Sequence, residues 1–229
     1  MHNILEIDSI VKNYGTRTIL SDVHLKCETK DIIGLFGRNG TGKTTLLKII
    51  FGIEPADYKH LKINGIISPT PYLLKECISY LPQVSFIPKH FTVKKAAELF
   101  LGINHNDIFF NDINIYKIVD NKIKDLSGGE LRYLEIKLVL LQKSRFVMLD
   151  EPFAGLSPII IEDVKGLIVK SSETKGVIIT DHNYLDVLDI CTKKYLVRDC
   201  SCKLTSDQED LKKYGYLQPN LTNEITTTK

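Results

Sequence analysis

Gly37-Arg38-Asn39-Gly40-Thr41-Gly42-Lys43-Thr44 follows directly on the apolar run Ile32-Ile33-Gly34-Leu35-Phe36, and the two together decide the fold. The run reads as a buried strand. It ends in a glycine-rich turn that opens a helix near Lys43, the context a phosphate-binding loop requires. Glycines let successive backbone N–H groups point into one concavity, and the helix start adds its positive dipole end, so a polyphosphate fits there. Lys43 reaches the outer phosphates as a point charge, and the Thr44 hydroxyl is placed to ligate a bridging Mg²⁺. The plainer alternative is a chance glycine turn between a strand and a helix.

Bulk properties bound what surrounds this loop. At 229 residues and 43% hydrophobic, the chain can bury one good core, and a single mixed α/β domain with a small appended lobe is expected. Thirty Lys and Arg against 28 Asp and Glu leave a formal charge of +2, which offers no bulk attraction to nucleic acid or anionic lipid. The five cysteines (Cys27, Cys77, Cys191, Cys200, Cys202) form no Cys-x-x-Cys pair, so reduced cytosolic thiols are expected. Cys200 and Cys202 read as alternating positions of one strand rather than metal ligands. No signal peptide and no run approaching a membrane span is present, so the chain reads as soluble, with any membrane part supplied by other chains.

Before the loop, residues 5–11 and 19–25 alternate apolar and polar, an antiparallel hairpin broken at Tyr14-Gly15-Thr16. Tyr14 in that turn is either a stacking surface for a nucleobase or plain surface cover. After it, residues 44–51 form a helix stopped by Gly52, and Asn64-Gly65 between β-branched residues marks a second hairpin. A core strand over 78–81 leaves Gln83 at its C-terminal end, as a ligand contact or a polar loop residue. From Thr92 to about residue 124 short helical pieces suggest an inserted lobe, broken over 104–114. Leu126-Ser127-Gly128-Gly129-Glu130 then opens a helix. Capping explains Ser127 but not two consecutive glycines, so Ser127, Gly128 and Gly129 form a second potential anion site.

Arg145-Phe146-Val147-Met148-Leu149-Asp150-Glu151-Pro152 is an apolar strand that ends in two carboxylates. One can ligate Mg²⁺, and the other can accept a proton from an attacking water; a solvated strand end is the alternative. Ser157-Pro158 supplies an N-cap and first-turn proline for a helix to about residue 169. A buried strand over 177–180 leads into Asp181-His182-Asn183, where His182 is structural unless the strand edge makes it a ligand contact. Short strands from Thr192, a helix around 207–214 and a polar, disordered tail over 220–229 complete the reading.

Taken together these residues resemble the ATP-binding subunit of an ABC transporter from about residue 5 to 197. Gly37 to Thr44 corresponds to the Walker A loop and Arg145 to Asp150 to the Walker B strand. Glu151 falls on the catalytic base, Gln83 on the Q-loop glutamine, His182 on the switch histidine and Tyr14 on the adenine-stacking aromatic. Leu126 to Glu130 resembles the family signature, with Glu in place of the commoner final Gln.

The resemblance implies a P-loop NTPase core of the ABC type: a mixed, mostly parallel sheet, an N-terminal antiparallel β subdomain and a helical subdomain at about 84–142, all within one domain over 1–219. Its catalytic residues would be Glu151, His182 and Lys43, and its Mg²⁺ ligands Thr44, Gln83 and Asp150. Nucleotide contacts would come from Tyr14, Gly37, Asn39, Gly40, Gly42, Lys43, Thr44, Thr45, Gln83, Ser127, Gly128 and Gly129. ATP, Mg²⁺, a second ATP-binding subunit and membrane-spanning subunits are the implied partners, with the chain on the cytoplasmic face of the membrane. One departure stands out: Ser157 takes the place of the usual aspartate, so contacts made by that aspartate across a dimer are not carried over.

The strings Asp150-Glu151-Pro152-Phe153-Ala154-Gly155-Leu156 and Thr180-Asp181-His182-Asn183 are similar to the lipopolysaccharide-export and branched-chain amino-acid branch. The rival class, superfamily members acting on DNA or the ribosome, carries coiled coils, zinc modules or a second cassette that this chain lacks. A GTPase is weaker still, because Asn121-Lys122 is followed by Lys124 where a guanine-reading aspartate belongs.

Overall fold

The computed structural model describes residues 2–102 and 109–205. In chain order it holds β1 (Ile4–Tyr14), β2 (Arg17–Leu20), β3 (Asp22–Val23), β4 (Leu25–Glu28), β5 (Ile32–Phe36), α1 (Lys43–Phe51), β6 (Tyr58–Ile63), β7 (Ile66–Ile67) and β8 (Ile78–Leu81). There follow α2 (Val93–Leu101), α3 (Ile113–Tyr116), α4 (Gly128–Leu141), β9 (Phe146–Asp150), α5 (Pro158–Ser172), β10 (Gly176–Thr180), α6 (Tyr184–Ile190), β11 (Lys193–Arg198) and β12 (Ser201–Thr205). The helix expected over 207–214, the tail over 220–229 and the 104–108 part of the expected break lie outside the described residues.

β8, β9, β10, β5 and β11 run parallel as neighbours, and β12 and β3 complete the sheet. All five residues of β5, of β9 and of β10 are buried, because helices cover one face and the second sheet with α1 covers the other. The strand period of two divides them cleanly. Val147, Leu149, Val177 and Ile179 pack into the core under α2, α4 and α5. Phe146, Met148, Ile178, Ile33 and Leu35 pack into the core around α1.

The smaller sheet is antiparallel: β1 pairs with β6 on one side and with β2 and β4 on the other. The hairpin expected at Asn64-Gly65 forms between β6 and β7, with both turn residues at positive φ. Two expectations need correction here. Residues 19–25 are not one strand: between β2 and β4 the amides of Ser21 and His24 turn to the carbonyls of Cys200 and Cys202, so β3 joins the other sheet. Alternation reports burial and is silent on which partner takes the backbone hydrogen bonds. Cys200, moreover, does not share β12 with Cys202; it sits in the turn before it at φ 62, its thiol against Thr18 O, while Cys202 is buried. Among the described residues no group of three or more His, Cys, Asp or Glu side chains is placed to hold a metal ion.

The helical segment is tied down by side chains. Asp112 caps α3 by accepting from Asn114 N and Ile115 N, accepts from Tyr133 OH at 2.6 Å, and pairs with Lys137 on α4. Thr92, the start expected from sequence, caps α2 by accepting from Lys95 N at 3.1 Å. Thr92→Ala removes one such cap and should cost about 1 kcal/mol. A thermal scan should then show Tm lowered by about 2–4 °C; an unchanged Tm would remove the cap from the account of α2.

Candidate functional site

The phosphate loop, Gln83, Glu151 and His182 follow β5, β8, β9 and β10 at the same edge of the sheet, because parallel strands bring all their C-terminal ends to one side. The loop takes its shape from backbone that only glycine accepts easily. Gly42, the N-cap of α1, sits at φ 99, and a Cβ there would come within 2.7 Å of Ile19. A Cβ on Gly37 would lie 2.6 Å from Val197 O on β11. Lys43 folds back across the loop, its Nζ donating to Gly37 O at 2.5 Å and Arg38 O at 3.2 Å. Burial pulls its ammonium below the ordinary lysine range, opposed by Glu151 and Asp150.

Asp150, fully buried, lies beneath. Its Oδ1 accepts from Thr44 Oγ1 at 3.0 Å and its Oδ2 from Tyr80 OH at 2.9 Å. Burial raises its pKa above the usual carboxylate value, and the Tyr80 and Thr44 hydrogen bonds oppose that. Burial likewise pushes the Tyr80 phenol up, with the Asp150 charge adding to it. Gln83 Nε2 lies 3.1 Å from Thr44 Oγ1 and 2.7 Å from Glu151 Oε1. His182 Nε2 meets the same Glu151 oxygen at 2.7 Å. Thr44 and Asp150 thus bring together a hydroxyl and a carboxylate, hard oxygen donors that fit Mg²⁺ completed by substrate phosphates and water, while Gln83 turns its amide nitrogen toward them and would offer its oxygen after a rotation of the amide.

A cavity of about 440 Å³ brings together Tyr14, Asn39, Gly40, Gly42, Lys43, Thr44, Thr45, Gln83, Glu151 and His182. Tyr14 is the last residue of β1 rather than a turn residue, paired with Arg17, so the turn shrinks to Gly15 and Thr16. Tyr14 is 49% exposed.

Ser127, Gly128 and Gly129 are not at that cavity. Ser127 and Gly129 line a separate one of similar size with Glu130, Gly155, Leu156 and Ser157. Ser127 caps α4, as expected, in a reciprocal box with Glu130 that the S-x-x-E spacing encodes. Ser157 is the N-cap residue of α5 with Pro158 after it, as expected, but its side chain makes no capping hydrogen bond.

Three further residues support the site. Arg132 on α4, almost fully buried, donates to Pro82 O at 2.8 Å, Asp150 O at 2.6 Å and Glu151 O at 3.0 Å. Glu135, one turn on, pairs with Arg132 at 3.5 Å and accepts from Phe86 N at 3.1 Å. Asp181 accepts from Phe153 N and Asn183 N, each at 2.8 Å, and so fixes the turns on either side of His182 and Glu151. Glu151 itself sits at φ 55, a backbone that a non-glycine residue holds only under support. Arg132, two positions after Glu130 on an apolar helix, was legible only as a charge at a buried position.

Residues 20–154 match the protein family described as ABC transporter. The chain is 35% identical over 209 residues to the lipopolysaccharide export system ATP-binding protein LptB of Haemophilus influenzae, covering 85% of this chain and 87% of that one. It is 32% identical over 207 residues to the protein of the same name from Escherichia coli K12, covering 84% and 86%. Among solved structures it superposes on an ATP-binding subunit of an ABC transporter with a TM-score of 0.81, at 19% identity over 94% of this chain and 95% of the other. A nucleotide-free ATP-binding cassette gives 0.74 at 22% identity, over 92% and 94%. At such identities these superpositions establish the fold.

Proposed function

This chain belongs to the ABC transporter family as an ATP-binding and ATP-hydrolysing subunit, and from that premise we propose that two such subunits close head to tail over ATP. Lys43 and the loop amides of Gly37, Asn39, Gly40, Gly42, Thr44 and Thr45 hold the phosphates, and Tyr14 stacks on the adenine. Ser127, Gly128 and Gly129 of the second subunit cover the γ-phosphate. Thr44, Gln83 and Asp150 hold Mg²⁺, which when bound neutralises charge developing on the phosphates. Glu151 takes the proton of the attacking water as its oxygen bonds to the γ-phosphorus and the bond to ADP breaks; His182 orients the γ-phosphate.

The observation that carries this reading is the place of the two glycines. A Cβ on Gly128 would meet nothing within 4 Å, and one on Gly129 would make only ordinary contacts at 3.6 and 3.9 Å. Among the described residues neither a close contact nor a positive φ calls for glycine at these two positions. A surface that must admit another backbone or a phosphate does.

ATP joins the subunits and hydrolysis releases them, a population shift passed through Gln83 and the helical lobe at about 84–142 to membrane-spanning subunits. Among the described residues no helix is long and apolar enough to cross a membrane; separate membrane-spanning subunits and a place on the cytoplasmic face are part of the same proposal. The relatives named for lipopolysaccharide export support the branch that the 150–156 and 180–183 strings suggest.

The test is complementation. Lys43→Ala and Ser127→Arg should each fail to dimerise with ATP. Their mixture, which restores one complete composite site, should elute as a dimer and regain hydrolysis. A mixture that stays monomeric and inactive would overturn the head-to-tail arrangement.

A further inference from the structure

We propose that Lys12 and Glu54 are positioning residues that clamp Tyr14 so that one face of its ring is held ready for the base. The proposal rests on the reading of Tyr14 as the base subsite. Tyr14 OH donates to Glu54 Oε1 at 2.9 Å, and Lys12 Nζ reaches the same oxygen at 2.7 Å. The Lys12 ammonium also lies 4.5 Å from the centre of the Tyr14 ring and donates to Pro55 O at 2.7 Å. Lys12 is 7% exposed while Tyr14 is 49% exposed. An ammonium is attracted to the electron-rich ring face and is rarely buried without partners, so the cation occupies the inner face and leaves the outer one for stacking.

The clamp is anchored to the element that makes the phosphate site. Just past the C-terminal end of α1, the amides of Gly52, Ile53 and Glu54 all converge on Lys48 O. The next residues are stapled to β1, with Asp57 N donating to Val11 O at 2.9 Å and Asn13 N to Asp57 Oδ2 at 2.6 Å. One helix therefore presents Lys43 to the phosphates at its start and, through Glu54 beyond its end, fixes the orientation of Tyr14. A ring held before binding loses less freedom when the base arrives.

The discriminating ligand has phosphates and no base. Binding of ATP and of inorganic tripolyphosphate to the full chain would be measured by calorimetry for Glu54→Ala, Glu54→Gln, Lys12→Met and Tyr14→Ala. Glu54→Ala and Lys12→Met should weaken ATP about 5-fold, a part of what a base–aromatic stack contributes. Tripolyphosphate should bind them as it binds the unaltered chain. Glu54→Gln, whose amide oxygen still accepts from Tyr14 OH, should recover part of the loss, and Glu54→Ala should add nothing in a Tyr14→Ala background. If Tyr14→Ala weakens ATP while Glu54→Ala leaves it unchanged, or weakens both ligands alike, the clamp is overturned and the base subsite stands. If Tyr14→Ala leaves ATP affinity unchanged, the base subsite falls and the clamp with it.

Discussion

Glu151→Gln should lower ATP hydrolysis by about 10²–10⁴ while ATP still binds, so that an ATP-bound dimer accumulates. The substitution keeps size and shape and removes the negative charge, and with it the capacity to take a proton. Glu151 Oε1 now meets Gln83 Nε2 and His182 Nε2, both at 2.7 Å, and an amide oxygen can still accept from them. The proposed phosphate loop keeps its own hydrogen bonds, since Lys43 opens α1 and its carbonyl partners Gly37 and Arg38 follow β5. With binding retained and hydrolysis blocked, ATP stabilises the closed form by mass action. Size-exclusion chromatography with ATP and magnesium should show the variant at twice the monomer mass. A variant that hydrolyses ATP at the unaltered rate and elutes as a monomer would remove Glu151 from its role.

The second large effect is expected at Arg132, which has no contact with the nucleotide cavity. Its guanidinium ties α4 to the carbonyls of Pro82, Asp150 and Glu151, so one planar group sets the backbone before Gln83 and on both carboxylates. Arg132→Ala leaves those carbonyls without this donor and Glu135 without its ion-pair partner in the interior. Breaking a buried pair from one side costs about 3–5 kcal/mol. Because Glu151 is held at φ 55, loss of its carbonyl partner also lets it relax. A shift of about 1 Å in a catalytic group can lower kcat about 100-fold. The denaturation midpoint in urea should fall, and hydrolysis per folded subunit, measured well below that midpoint, should fall with kcat. Arg132→Lys should recover only part, since a single ammonium cannot span the carbonyls as a planar fork does. Normal turnover per folded subunit in Arg132→Ala would confine the residue to stability.

Much of the site was legible because its chemistry is local in the chain. The phosphate loop is eight consecutive residues whose glycines shape backbone, and the Asp150-Glu151 pair ends its own strand; both can be read without knowing their neighbours. Gln83 and His182 were ambiguous as single polar residues and became interpretable through the family pattern. Tyr80, Arg132 and Glu135 carried no such pattern, and Asp181 stood in a family-like string without a role, since each acts on a residue far away in the chain: Tyr80 on Asp150, Asp181 on Phe153, Arg132 on Pro82 and Glu151, Glu135 on Phe86.

By itself the sequence determined the order of buried strands and helices, the phosphate loop and the carboxylates, because periodicity and turn chemistry are properties of neighbouring residues. The tertiary structure decided what depends on partners: the division of 19–25 between two sheets, the gathering of four strand ends around one cavity, the Lys12–Glu54 clamp on Tyr14, and the separation of Ser127 from Lys43. The physical reason is that a backbone amide or a buried charge is satisfied by whichever group the fold brings within hydrogen-bonding distance, and that pairing is written in no single stretch of chain.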